Sequence, residues 1–225
     1  MQNNYYAQKL NSQSLFKVYD TNIPRVKQYL EAEISFVRDN LTGNEKVLEL
    51  GAGYGRIVKE LAGNCKSIVG IDISNESVEL SKEHLKDSLN AEIMTMDVNN
   101  LTFEDKFDVI LCLQNGLSAM QVPSQPLIKK IMGMIASGGK AYFSTYSEKF
   151  WEHRVMWFQE QIGKGLLGEL DLDKTKDGII ICKDGFKAII HTPDDLKKMG
   201  ELSGYKYQVQ EVDESSVFLI IIKDK

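Results

Sequence analysis

Val47-Leu48-Glu49-Leu50-Gly51-Ala52-Gly53-Tyr54-Gly55-Arg56 reads as a buried apolar strand running into a glycine loop, with an acid two residues before the first glycine. Three glycines in five residues let the backbone turn tightly and approach a ligand with no Cβ in the way. Arg56 to Leu61 continues with helical spacing, so the loop lies between a strand and a helix N-terminus. In α/β sheets that junction is where nucleotide-like ligands bind.

A dinucleotide fingerprint requires G-x-G-x-x-G, and here Arg56 stands where the third glycine belongs. Glu49 argues the same way. A carboxylate at the bend repels a pyrophosphate and attracts an ammonium group.

Acids recur at the ends of the next apolar runs. Ile68 to Ser74 ends in Asp72, 17 residues beyond Gly55, where a carboxylate accepts from ribose hydroxyls. A plain helix cap is the alternative for Asp72, and its place after Gly70-Ile71 and its distance from the loop favour the ribose role. Ser74 caps a helix expected over Asn75 to Leu89, with Glu76 in its first turn. Ile93 to Val98 carries Asp97, which also suits a turn at Val98-Asn99-Asn100. Phe107 to Gly116 and Gly138 to Thr145 supply a fourth and a fifth strand, with Asp108 solvating the start of the fourth.

Taken in order, these five segments resemble the motifs of class I S-adenosylmethionine (SAM)-dependent methyltransferases. The resemblance implies a Rossmann-like α/β fold. Its mostly parallel seven-stranded sheet has the order 3-2-1-4-5-7-6, with the last strand antiparallel, helices on both faces and an antiparallel insertion after strand 5. It implies SAM as cofactor, S-adenosylhomocysteine as product and a small-molecule acceptor. Glu49, Gly51, Ala52 and Gly53 are then the cofactor loop, Asp72 and Ile73 the ribose site, and Asp97 and Val98 the adenine site. Leu113 and Gln114 pass under the methionine moiety. The architecture is similar to glycine and sarcosine N-methyltransferases, in which an arginine ahead of the glycine loop grips the cofactor carboxylate. Arg25, 26 residues before Gly51, has that placement, and Tyr19 is the candidate to cover the sulfonium. Gln114-Asn115-Gly116 departs from the Asn/Asp-Pro-Pro-Tyr/Phe of enzymes that methylate nucleobase amines or protein glutamine, and the acid pattern of magnesium-dependent catechol-type enzymes is not evident.

At 225 residues the chain is expected to form one domain. Its 27 basic and 32 acidic residues give a net charge of −5, and the only adjacent basic pairs are Lys129-Lys130 and Lys197-Lys198. No basic stripe marks a nucleic-acid partner. The apolar run Val217 to Ile222 is too short to span a bilayer, and no signal core opens the chain, so a cytoplasmic location is expected. Cys65, Cys112 and Cys182 read as reduced thiols, and three isolated histidines without a CxxC give no metal site.

Residues 24–41 read as a helix opened by Pro24 with a stripe of Val26, Leu30, Ile34 and Val37. Thr192-Pro193-Asp194-Asp195 starts a late helix that stops at Ser203-Gly204, and Tyr205 to Val212 and Ser216 to Ile222 form an antiparallel pair. Two regions lie outside the scaffold. One is the N-terminal arm and helix, residues 1–41, with Tyr5, Tyr6, Phe16 and Tyr19. The other is 147–191, an aromatic helical stretch around Phe150 to Phe158 and a hairpin turned at Asp184-Gly185. This second segment is expected to roof the acceptor pocket, or else to form the interface of a homodimer in place of a monomer. Asn115, Tyr146 and Trp151 are the expected acceptor contacts. His191 is favoured over His153 as a base, and His84 lies on the wrong helix. Two alternatives remain, a SAM-binding module without turnover and an NAD-type binder, the latter disfavoured by Glu49 and Arg56.

Overall fold

The computed structural model describes Tyr5 and residues 9–225; Tyr6 of the arm lies outside the described residues. Helix α1 (Ser12–Tyr19) leads into α2 (Pro24–Arg38), where Pro24 occupies the first turn and Val26, Leu30, Ile34 and Val37 are buried as their spacing demands. Strand β1 (Lys46–Leu50) passes through the glycine loop to α3 (Arg56–Ala62). Alternation continues with β2 (Ser67–Asp72), α4 (Asn75–His84), β3 (Ala91–Thr95) and β4 (Phe107–Cys112). Then come the short α5 (Gly116–Met120), α6 (Ser124–Met134) and β5 (Ile135–Tyr146). The Ser74 hydroxyl caps α4 by accepting from the Ser77 amide, but the helix stops at His84, short of a fully exposed Leu89.

After β5 the chain forms α7 (Trp151–Gly163) and a small hairpin of β6 (Ile180–Ile181) and β7 (Lys187–Ala188). The Thr192 capping box, with Asp195 closing it, opens α8 (Pro193–Ser203), and Gly204 at φ +75° ends it. Strands β8 (Lys206–Val212) and β9 (Ser216–Ile222) close the chain. The seven-stranded sheet runs β3-β2-β1-β4-β5-β9-β8, parallel from β3 to β5, with β9 antiparallel to both its neighbours. Counted along the chain, this is the 3-2-1-4-5-7-6 order. The Asp108 carboxylate accepts from the Lys46 amide at 2.8 Å and ties the start of β4 to β1.

Side-chain alternation along the strands sends opposite sets to the two faces. Leu48, Leu50, Ile110 and Phe143 pack with α6 and Leu196 of α8, whereas Val47, Val109, Leu111 and Tyr142 pack with α2 and α3. A third core lies beyond the strand ends. There Val18, Val26, Tyr29, Trp157, Phe158, Ile180, Cys182 and Phe186 bring α1, α2, α7 and the hairpin together into a cap. Among the described residues no helix is long and apolar enough to cross a membrane.

Candidate functional site

Between sheet and cap lies a cavity of about 460 Å³ at the carboxyl ends of β1 to β4. Its floor is the glycine loop, which takes left-handed φ values at Gly51 (+72°), Gly53 (+55°) and Gly55 (+91°), where only glycine fits without strain. At Gly53 a Cβ would come within 2.5 Å of Leu15 on α1. The Asp72 carboxylate fixes the loop, accepting from the Gly53 amide and the Ser74 amide, each at 2.8 Å. Burial raises its pKa, and those amides oppose the rise. A carboxylate offers about four acceptor positions, so Asp72 has capacity left toward the cavity. Asp97 accepts from the Asn99 amide at 2.8 Å, as its turn-forming reading required, and also lines the cavity.

The other end of the cavity is charged. Glu49 is 3% exposed, and its Oε2 has no hydrogen-bond partner. Burial pushes this carboxyl up to about 8, with Arg56 opposing and Asp72 adding to the rise. The glycine turn delivers Arg56 to the start of α3, where its guanidinium lies 4.7 Å from the Tyr19 ring. Its Nε and Nη2 are buried without partners.

Beside them β4 ends in two consecutive non-glycine residues with left-handed backbones, Gln114 (φ +53°) and Asn115 (φ +60°). Such strain persists only where neighbours over-determine it. Here the Gln114 amide donates to Ser144 Oγ at 2.8 Å and the Asn115 amide donates to the Ser144 carbonyl at 3.0 Å. The Asn115 side chain donates to the Ile189 carbonyl at 2.7 Å and accepts from the Thr145 hydroxyl at 3.0 Å. Gln114 is thereby held at the cavity wall, its side-chain Nε2 buried without a partner.

Tyr19, Glu49, Gly51, Ala52, Asp72, Ile73, Asp97, Val98, Leu113, Gln114 and Tyr146 all converge on the cavity, and Gly53 shapes its floor from behind. Four sequence expectations are corrected. Arg25 does not line the cavity; it pairs with Asp213 on the β8–β9 turn and lies 5.3 Å from the Phe150 ring. Asn115 spends its amide on Ile189 and Thr145. Trp151 packs against the cap core, because the rotation of α7 turns Trp157, Phe158 and Gln161 to the cavity instead. His191 is outside as well. Its amide donates to the Thr145 hydroxyl at 3.2 Å, and burial lowers its imidazole pKa while Asp195 opposes. Arg56 went unassigned, although its place as the departure from the dinucleotide pattern was the available signal. Leu10 ahead of α1, and Leu15 and Val18 on it, gave no comparable signal. Among the described residues no group of three His, Cys, Asp or Glu side chains could hold a metal ion.

Comparison with known proteins matches residues 47–139 to a methyltransferase domain. That stretch holds the glycine loop and the strand-end acids, and the sheet order around it is the one such domains carry. The chain is thus similar to class I S-adenosylmethionine-dependent methyltransferases over residues 47–139 and in its Rossmann-like sheet. It is 31% identical over 126 residues to the ubiquinone biosynthesis O-methyltransferase of Coxiella burnetii, covering 55% of this chain and 50% of that one. The chain thus spans about half the length of the curated relatives it matches. Its fold is similar to a DhpI–SAM–HEP complex, with TM-score 0.65 and 19% identity over 96% of this chain and 93% of that one. It is similar also to magnesium protoporphyrin IX methyltransferase from Synechocystis PCC 6803 with bound S-adenosylhomocysteine, with TM-score 0.63 and 18% identity over 97% of this chain and 98% of that one.

Proposed function

We propose that this chain binds SAM and transfers its methyl group to nitrogen or oxygen of a small-molecule acceptor. The observation that carries this reading is the pairing of Glu49 with Arg56. A buried carboxylate and a buried guanidinium, each with unpartnered atoms and without an ion pair between them, border the same cavity. A ligand with both an ammonium and a carboxylate satisfies them together, and the amino-acid end of SAM carries that pair. Asp72 then accepts from the ribose hydroxyls, and Asp97 with the Val98 amide takes the adenine edge.

Bound there, the cofactor supplies an electrophilic sulfonium methyl. Tyr19, Trp157 and Phe158 form the dry cover, and Tyr146 and Gln114 border the space left for the acceptor. Alignment of nucleophile, methyl and sulfur by such walls can contribute roughly 7–11 kcal/mol of barrier reduction. The Coxiella burnetii relative is named as an O-methyltransferase, which favours oxygen here. The cap, formed by the described part of residues 1–41 together with 147–191, belongs to the same single domain and sets acceptor choice.

Calorimetric titration of the purified chain with S-adenosylhomocysteine tests the reading. Glu49→Gln should weaken binding by roughly tenfold or more, since a hydrogen bond to a charged group is worth about 1.5–3 kcal/mol. NAD binding tighter than S-adenosylhomocysteine would contradict it.

A further inference from the structure

The acceptor half of the cavity has a chemical character of its own. Its walls are Tyr19, Gln114, Tyr146, Trp157, Phe158 and Gln161. Aromatic walls alone would suit an ammonium acceptor, which gains by lying on ring faces. Here guanidiniums already lie near two of them, Arg56 at 4.7 Å from Tyr19 and Arg154 at 4.6 Å from Tyr146. With Arg56 paired to the cofactor carboxylate, a second cation in the same space would still be repelled by Arg154, and an anion attracted.

The polar groups at the walls point the same way. The Gln114 amide is fixed by the strained turn and has an unsatisfied N–H₂. Tyr146 stands at the end of β5, the strand that pairs with β4, so it and Gln114 border the cavity from neighbouring strand ends; its hydroxyl accepts from Tyr29 on α2 and keeps its own O–H to donate. Burial holds the Tyr146 phenol above its ordinary range, with Arg154 opposing, so it remains an O–H donor.

No base is at hand for a protonated nucleophile. Among the described residues His84, His153 and His191 all lie outside the cavity lining. Glu49 is committed to the cofactor ammonium, and Asp72 and Asp97 stand at the nucleoside end. The remaining titratable groups near the acceptor space are Tyr19 on α1, Tyr29 and Glu33 on α2, and Arg154 on α7. Tyr29 and Glu33 are sealed in the core behind the wall.

Resting on the SAM reading above, we infer that the acceptor is a carboxylate on an apolar or aromatic small molecule, held by Gln114 and Tyr146 and methylated on oxygen. One carboxylate oxygen takes the two donors and the other faces the methyl. That oxygen's electron pair forms the new O–C bond as the S–C bond breaks and its pair returns to sulfur. The positive sulfonium and the negative carboxylate become a neutral thioether and a neutral ester, and no proton has to leave. This assigns Gln114, which the sequence placed with the cofactor, to the acceptor.

The test uses the full chain saturated with S-adenosylhomocysteine, titrated with phenylacetate, phenylacetamide and phenethylamine as matched probes. Phenylacetate should bind at least about tenfold more tightly than either of the others. Gln114→Leu and Tyr146→Phe should each cost about tenfold in phenylacetate affinity and leave S-adenosylhomocysteine affinity within about twofold. Gln114→Glu should turn the preference toward phenethylamine. The inference is overturned if the amine or amide binds as tightly as the carboxylate, if phenylacetate does not bind, or if the variants lose S-adenosylhomocysteine affinity in parallel. Failure of the wild type to bind S-adenosylhomocysteine at all would instead bring down the SAM reading itself.

Discussion

Glu33 on α2 is a buried ionisable residue for which neither the cofactor nor the acceptor has a use. It is 1% exposed, and its Oε2 has no partner. Burial pushes its carboxyl up to about 7, against the Ser144 hydroxyl, the Arg56 charge and the Gln114 amide. In the unfolded chain the same group ionises near its ordinary value of about 4.3. Between those values the folded state holds a proton that the unfolded state has lost. The stability this contributes is full below the unfolded value and is lost as pH rises through about 7. Glu33→Gln should therefore gain in melting temperature relative to the wild type as pH goes from about 5 to about 8. A difference that stays constant with pH would refute the assignment. Glu49 carries the same logic into binding. The cofactor ammonium requires the ionised carboxylate, and this one is held up to about 8, so S-adenosylhomocysteine affinity should rise with pH until about 8 and then level off. Calorimetry over that range should also register proton release on binding, and affinity that falls with rising pH would contradict the role.

At the scale of elements, the hairpin and α7 show what the cap costs to disturb. Phe186 is 1% exposed, 5.5 Å from the Phe158 ring, within the core that also holds Val18, Val26 and Tyr29. Phe186→Ala should cost about 3–5 kcal/mol in denaturant unfolding. A loss under about 1 kcal/mol would show the hairpin to be an appendage. The hairpin's Ile180 and Ala188, and Cys182 beside them, are also buried within the chain. The sheet was legible in the sequence because each strand ended in a local signal, whether glycine loop, acid, cap or capping box. The rotation of α7 was not. Trp151 and Trp157 look alike as residues, and only packing against α1 and α2 decides which one meets the cavity. Arg25 was misplaced for the same reason, since its partner Asp213 lies 188 residues away on a turn that local spacing does not locate. The cover supplied by α1 was invisible too, because Leu15 and Val18 are ordinary helix residues until the loop at Gly53 is folded beneath them.

Across the whole molecule, residues of both the motif-bearing sheet and the cap line the cavity. Ligand binding should therefore tighten the cap more than the sheet. Hydrogen exchange should slow on addition of S-adenosylhomocysteine along α1 and the second half of α7, with little change in β4, β5 and β9. Equal slowing everywhere would argue against a cavity shared between the two. The central claim is that this cavity is a SAM site anchored by the strand-end acid Asp72. Calorimetric titration of S-adenosylhomocysteine into wild type and Asp72→Ala tests it most directly. The account predicts stoichiometric binding by the wild type and a loss of roughly 10- to 100-fold in the variant, the worth of a charge-assisted hydrogen bond, whereas equal affinity in the two proteins would contradict it.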